Sequence, residues 1–125
     1  MASILRVNTL TDASSGNSTA MSTINQGTAK SWINFNGTGT IAARDSYNVS
    51  SLVDNGTGNY DQVFTNNMSS ANYSVSGAIA DNAPIASNRD RYFMAVSESA
   101  SQINLNAFGQ ADMNFVYGQV FGDLA

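Results

Sequence analysis

The chain has 125 residues, with five Lys or Arg against nine Asp or Glu, no Cys and no His. That excludes disulfides and thiolate chemistry, and it removes the usual general base, metal ligand and near-neutral proton switch. A net charge of −4 with so few cations argues against nucleic acid as a partner, because neutralising several phosphates needs more Lys and Arg. The length fits one domain, which at this size buries about 65% of its unfolded surface and needs no staples. Charged residues make up 11% of the chain, while Asn, Ser and Thr make up about a third. Its polar surface is therefore built from amides and hydroxyls.

In chain order, residues 3–11 (SILRVNTLT) alternate imperfectly and predict one short strand. Residues 11–26 are small and polar, with Met21 and Ile24 as isolated apolar positions. Such an arm buries too little to offset its backbone entropy, so it is either flexible or held against other chains, and Ile4, Leu5, Val7, Met21 and Ile24, which would otherwise be exposed, favour the second. Residues 1–10 contain one basic residue and no long apolar run, which is not the pattern of a signal peptide. Met1-Ala2 is compatible with the start of a fragment of a longer protein. No apolar run approaches the ~20 residues that span a bilayer as a helix, so membrane insertion is not expected.

From Lys30 the β pattern is steady. Residues 32–35 predict a first strand and residues 40–47 a second, with Ile41, Ala43, Asp45 and Tyr47 on one face. Residues 49–54 predict a third strand, continuous with the second through a bulge, and residues 60–65 a fourth. Asn36-Gly37-Thr38-Gly39 and residues 54–59 (DNGTGN) supply turns, since Gly and Asn accept positive φ at little cost. Residues 66–72 read as a turn cluster with room for one helical turn. Residues 73–80 predict a fifth strand with Tyr73, Val75, Gly77 and Ile79 on one face. Residues 81–90, with the only Pro, form the longest irregular stretch. Residues 91–98, 102–108 and 113–121 predict three more strands, the second with Ile103, Leu105 and Ala107 sharing a face. Seven or eight short strands at this spacing predict an all-β fold: an antiparallel β-sandwich or barrel-like meander.

Candidate chemistry is sparse. Asp54, Asp81 and Asp112 sit where turns favour Asp, so a paired-carboxylate glycosidase site is not the expectation. Residues 54–61 resemble an oxygen-ligand Ca²⁺ loop faintly, but they lack the bidentate Glu and the following helix, and a hairpin turn is the simpler reading. Six Asn-X-Ser/Thr triplets, at Asn17, Asn36, Asn48, Asn55, Asn67 and Asn72, are what this composition gives by chance. The densest polar cluster is Asn88, Arg89, Asp90, Arg91 and Tyr92. Its guanidinium, carboxylate and amide groups could hydrogen-bond sugar hydroxyls while Tyr92 stacks; an Arg–Asp pair steadying a loop or bridging subunits is the plainer alternative. Trp32 reads as a core or interface anchor before a sugar platform. No cofactor and no metal are expected.

Residues 26–41 (QGTAKSWINFNGTGTI), 44–51 (RDSYNVSS), 54–60 (DNGTGNY), 71–77 (ANYSVSG) and the ending 120–123 (VFGD) together resemble the C-terminal domain of bacteriophage tail fibre proteins of a type common in marine and cyanobacterial phages. The similarity covers most of the chain from Gln26 onward. It implies residues 1–26 as a shaft end or neck and residues 27–125 as a β-rich tip domain. It further implies an intertwined homotrimer in the virion, joined to the rest of the fibre. Such a tip would recognise a host surface glycan or outer-membrane protein and would not be an enzyme. A purely structural trimerisation domain and a glycan depolymerase are the rival readings.

Overall fold

The computed structural model describes residues 3–81, 92–108 and 111–125. Among the described residues ten strands and one helix are formed: β1 (Thr9–Thr11), β2 (Ser18–Ala20), α1 (Met21–Gly27), β3 (Ser31–Asn36), β4 (Ala42–Tyr47), β5 (Val49–Asp54), β6 (Asn59–Phe64), β7 (Ser74–Ala80), β8 (Tyr92–Ser99), β9 (Gln102–Phe108) and β10 (Phe115–Phe121). Every pairing is antiparallel, and strands dominate, as the pattern predicts. Two four-stranded sheets, ordered β4-β3-β10-β7 and β5-β6-β9-β8, form a sandwich.

Alternation builds the core. Along β3, Ser31, Ile33 and Phe35 are buried while Trp32, Asn34 and Asn36 face out. Val116 and Val120 of β10 join Ile33 and Phe35 from one sheet, and Tyr60, Phe64, Ile103, Leu105 and Ala107 come from the other. Phe35 and Tyr60 meet edge to face at 5.1 Å across this layer. One polar link crosses the core: Gln62 Nε2 donates to Ser31 Oγ at 2.7 Å, and Ser31 Oγ lies 3.1 Å from the Tyr47 carbonyl. Gln62 Oε1 has no protein donor among the described residues.

The connection between the sheets at one side is a single residue. Asn48 takes φ 56°, which turns the chain out of β4 and into β5 in the opposite sheet. Its side chain holds the corner: Nδ2 lies 3.0 Å from the carbonyls of Lys30 and Asn66, and Oδ1 accepts from Asn66 N at 2.7 Å. On the other side the ring of Phe93 in β8 lies over Gly77 of β7, so that flank is closed.

Four expectations need correction. First, β4 does not hold one face. A bulge opposite Asn34/Phe35 pairs Ala43 with the inward Phe35 but Asp45 and Tyr47 with the outward Asn34 and Trp32. Ala43 and Asp45 therefore fall on opposite sides, because a one-residue slip reverses every later side chain. Second, β5 does not continue β4 within one sheet; it switches sheets at Asn48. Third, residues 66–72 contain no helix, whereas the polar arm does: α1, preceded by the β1–β2 hairpin. Fourth, of the two readings of Trp32, core or interface anchor, the core one fails, since the side chain is half-buried on the outer face.

Candidate functional site

Register gives the sandwich two distinct ends. The first residues of β3, β5 and β9 and the last of β4, β6, β8 and β10 share one end, with α1 leading into β3 there. Lys30 N donates to the Val120 carbonyl, and Gln26 Nε2 donates to Asp123 Oδ1 at 2.7 Å, so the arm leaves from this proximal end. At the opposite, distal end lie residues 37–41, residues 54–59, the segment entering β10, the end of β7 and the start of β8.

The distal loops are tied into one platform. Asp112 Oδ1 accepts from Gly58 N at 2.8 Å and from the Tyr60 hydroxyl at 3.0 Å, and that hydroxyl also lies 2.8 Å from the Gly37 carbonyl. Gly37 N donates to Met113 O at 2.9 Å. A Cβ on Gly37 would stand 2.6 Å from the Tyr60 oxygen and 2.9 Å from Met113 O, so no larger residue fits without movement. Gly58 has φ 68° and a similarly close approach to Ala111 O, at 2.9 Å. Burial first, and the Asp112 carboxylate second, raise the Tyr60 pKa, which keeps the phenol a neutral donor. Asn36 and Thr38 close the β3–β4 loop on each other, Thr38 Oγ1 reaches Asn114 Oδ1 at 3.2 Å, and Asn114 Nδ2 donates to Asp81 Oδ1 at 2.6 Å. In the β5–β6 turn Gly56 N donates to Asp54 Oδ1 at 2.9 Å.

Beside this platform the outer face of the β3 sheet is aromatic. The Arg44 guanidinium sits 4.4 Å from the Phe115 ring centre, Phe115 stacks on Tyr117 at 6.3 Å, and Arg44 Nη2 donates to Asn114 O at 2.6 Å. A groove of about 260 Å³ opens between the β4 and β5 edges, lined among others by Ile41, Ala43, Val49, Ser50 and Leu52. Its lining holds hydroxyls and alkyl groups and no ionisable side chain.

Of the sequence-predicted site, Asn88, Arg89, Asp90 and Arg91 lie outside the described residues. Tyr92 opens β8 at the distal end, opposite Phe108, and is 58% exposed. Asp81 and Asp112 do sit in loops and Asp54 ends β5 at the mouth of its turn, and each accepts a hydrogen bond from a neighbouring loop group. Among the described residues no three His, Cys, Asp or Glu side chains gather into a metal-binding group. The Tyr60–Asp112 link and the Arg44–Phe115–Tyr117 stack were missed from sequence. Comparisons with protein-family models, with curated proteins and with solved structures returned no match.

Proposed function

We propose that this chain is the tip domain of a phage tail fibre, which as a homotrimer attaches the virion to a glycan or outer-membrane protein of the host surface. The motif resemblance supplies the family, and the end-to-end polarity of the sandwich is the observation that supports it. The arm departs from one end, and a platform of tied loops presents Thr40, Asn55, Thr57 and Tyr92 at the other. β7 ends and β8 begins at that distal end. Loops on a rigid scaffold are where binding groups concentrate. Exposed amides, hydroxyls and Tyr92 suit hydrogen bonding and stacking to sugars.

The arm also favours assembly. Residues 3–20 are all exposed, and α1 has seven residues, no side-chain cap and no buried position. A helix that short is marginal in water without tertiary support. Cyclic symmetry would cover the arm with its copies and bring three equal loop platforms to one end, where weak contacts gain by avidity. Sedimentation equilibrium tests assembly: the expected mass is three times the 13.2 kDa chain. Host-cell adsorption tests binding. Tyr92→Ala and a blocking Thr57→Arg are expected to reduce adsorption while leaving the unfolding transition in place. Failure of the intact trimer to adsorb to any host cell would instead favour a structural trimerisation domain.

A further inference from the structure

The apolar surface outside the arm is concentrated on one strand. β8 ends its sheet, and its outward positions include Met94 and Val96, 49% and 57% exposed. An end strand with adjacent exposed apolar side chains is a surface that natural proteins cover or interrupt with charge. The arm has the matching feature. Residues 3–8 form no strand within their own chain, yet Ile4 and Leu5 are 74% and 80% exposed and Val7 is 37% exposed. In extended backbone Leu5 and Val7 project to one side about 7 Å apart, the same spacing as Met94 and Val96 along β8.

Charge and placement agree with the apolar match. The sheet formed by β5, β6, β9 and β8 contains Asp54, Asp61 and Glu98 and no Lys or Arg in its strands. The arm before β1 has one ionisable side chain, Arg6. Glu98 is exposed and sits in the bulge at the proximal end of β8, accepting from Gln102 Nε2 at 2.6 Å. Rotational symmetry sets all proximal ends of a trimer at one height, so an arm leaving one copy passes the proximal half of its neighbour. Six extended residues reach about 20 Å, most of the ~26 Å length of β8.

We infer that residues 4–8 of one copy lie along the outer side of β8 of a neighbouring copy, with Leu5 over Met94, Val7 over Val96, and the Arg6 guanidinium turned towards Glu98. This rests on the homotrimer reading and names the contact that closes it into a ring. Arg6, between Leu5 and Val7, projects to the other side of the arm, and its long flexible side chain folds past the arm's edge to reach the carboxylate at the rim.

The absence of native Cys makes the test specific. Full-length chains with Leu5→Cys, with Met94→Cys, and with both are compared, first reduced by sedimentation and then oxidised on non-reducing gels. The expected result is a reduced trimer for all three, with linked dimers and trimers formed only by the double variant. A reduced trimer that never links, or that links within one chain, overturns the inference and leaves the trimer standing. Linking by Leu5→Cys alone overturns it too, because the arms would then meet each other. A reduced monomer removes both the trimer and the contact. As a second readout, Arg6→Glu is expected to raise the trimer dissociation constant about five-fold, the scale of an exposed ion pair, and Glu98→Arg in that background to restore it. No rescue by the charge swap counts against the Arg6–Glu98 pairing.

Discussion

At the scale of single residues, the polar side chains that dominate the composition are largely occupied by the fold. Asn36, Asn48, Asn104 and Asn114 all hold loops or strands together through their carboxamides. Tyr60 is the most demanding case, since one buried hydroxyl serves both Gly37 O and Asp112. Tyr60→Phe keeps the ring packing and removes the one hydroxyl proton that Gly37 O and Asp112 share, so a loss of about 1–2 kcal/mol is expected from urea unfolding. Tyr73 gives a pH signature. Burial, with a smaller push from Glu98, raises its pKa from 10.0 to about 12, while its hydroxyl reaches the Ser99 and Gln102 carbonyls. The neutral phenol is thus favoured in the folded state: its contribution is complete below pH 10 and is lost as pH rises from 10 towards 12. Unfolding at pH 8 and pH 11 should show this decline, and Tyr73→Phe should flatten part of it; an unchanged slope would remove Tyr73 as its source.

At the scale of elements, the corner between β4 and β5 turns on Asn48, and the substitution order there is informative. Asn48→Ala loses the bonds to Lys30 O and to Asn66 and also forces an ordinary side chain into positive φ. A cost of about 2–4 kcal/mol follows, with Asn48→Gly milder by about 1 kcal/mol because only the bonds are lost. Equal losses for Ala and Gly in denaturant titrations would mean that backbone strain plays no part. The same corner shows why some elements were legible in sequence and others not. β7 pairs with β10, and β9 with β6, in regular register, so the grouping of Val75, Gly77 and Ile79, and of Ile103, Leu105 and Ala107, on one face each was legible from alternation alone. β4 misled because its bulge depends on pairing with β3, which a local pattern does not record. α1 has neither a capping residue nor an apolar stripe, and so carries no local signal. The repeated Asn-Gly-Thr-Gly sequences announced two turns. Only tertiary register brings them to one end and sets Gly37 and Gly58 against Tyr60 and Asp112, some fifty residues away in the chain.

At the scale of the whole molecule, proposed assembly and proposed binding sit at opposite ends of one sandwich, and that separation makes them experimentally separable. The core is closed by residues from Ser31 onward, whereas residues 3–20 contribute no buried residue to it. Removing residues 3–20 should therefore leave the sandwich unfolding transition close to that of the intact chain while abolishing the trimer. Each distal platform would remain intact, so the contact made by one subunit would not change. What disappears is the conversion of second and third contacts into intramolecular events, which is worth a factor of about 10²–10⁴ in overall affinity. The expectation is a truncated monomer with native-like unfolding and a host-cell affinity lower by two orders of magnitude or more, recovered by fusing it to an unrelated trimeric coiled coil. Recovery by an unrelated trimeriser would assign the arm to assembly and the loops to recognition. A truncated monomer that adsorbs as tightly as the full chain would show that avidity contributes nothing, and persistent weakness after fusion would place part of the binding surface on the arm itself.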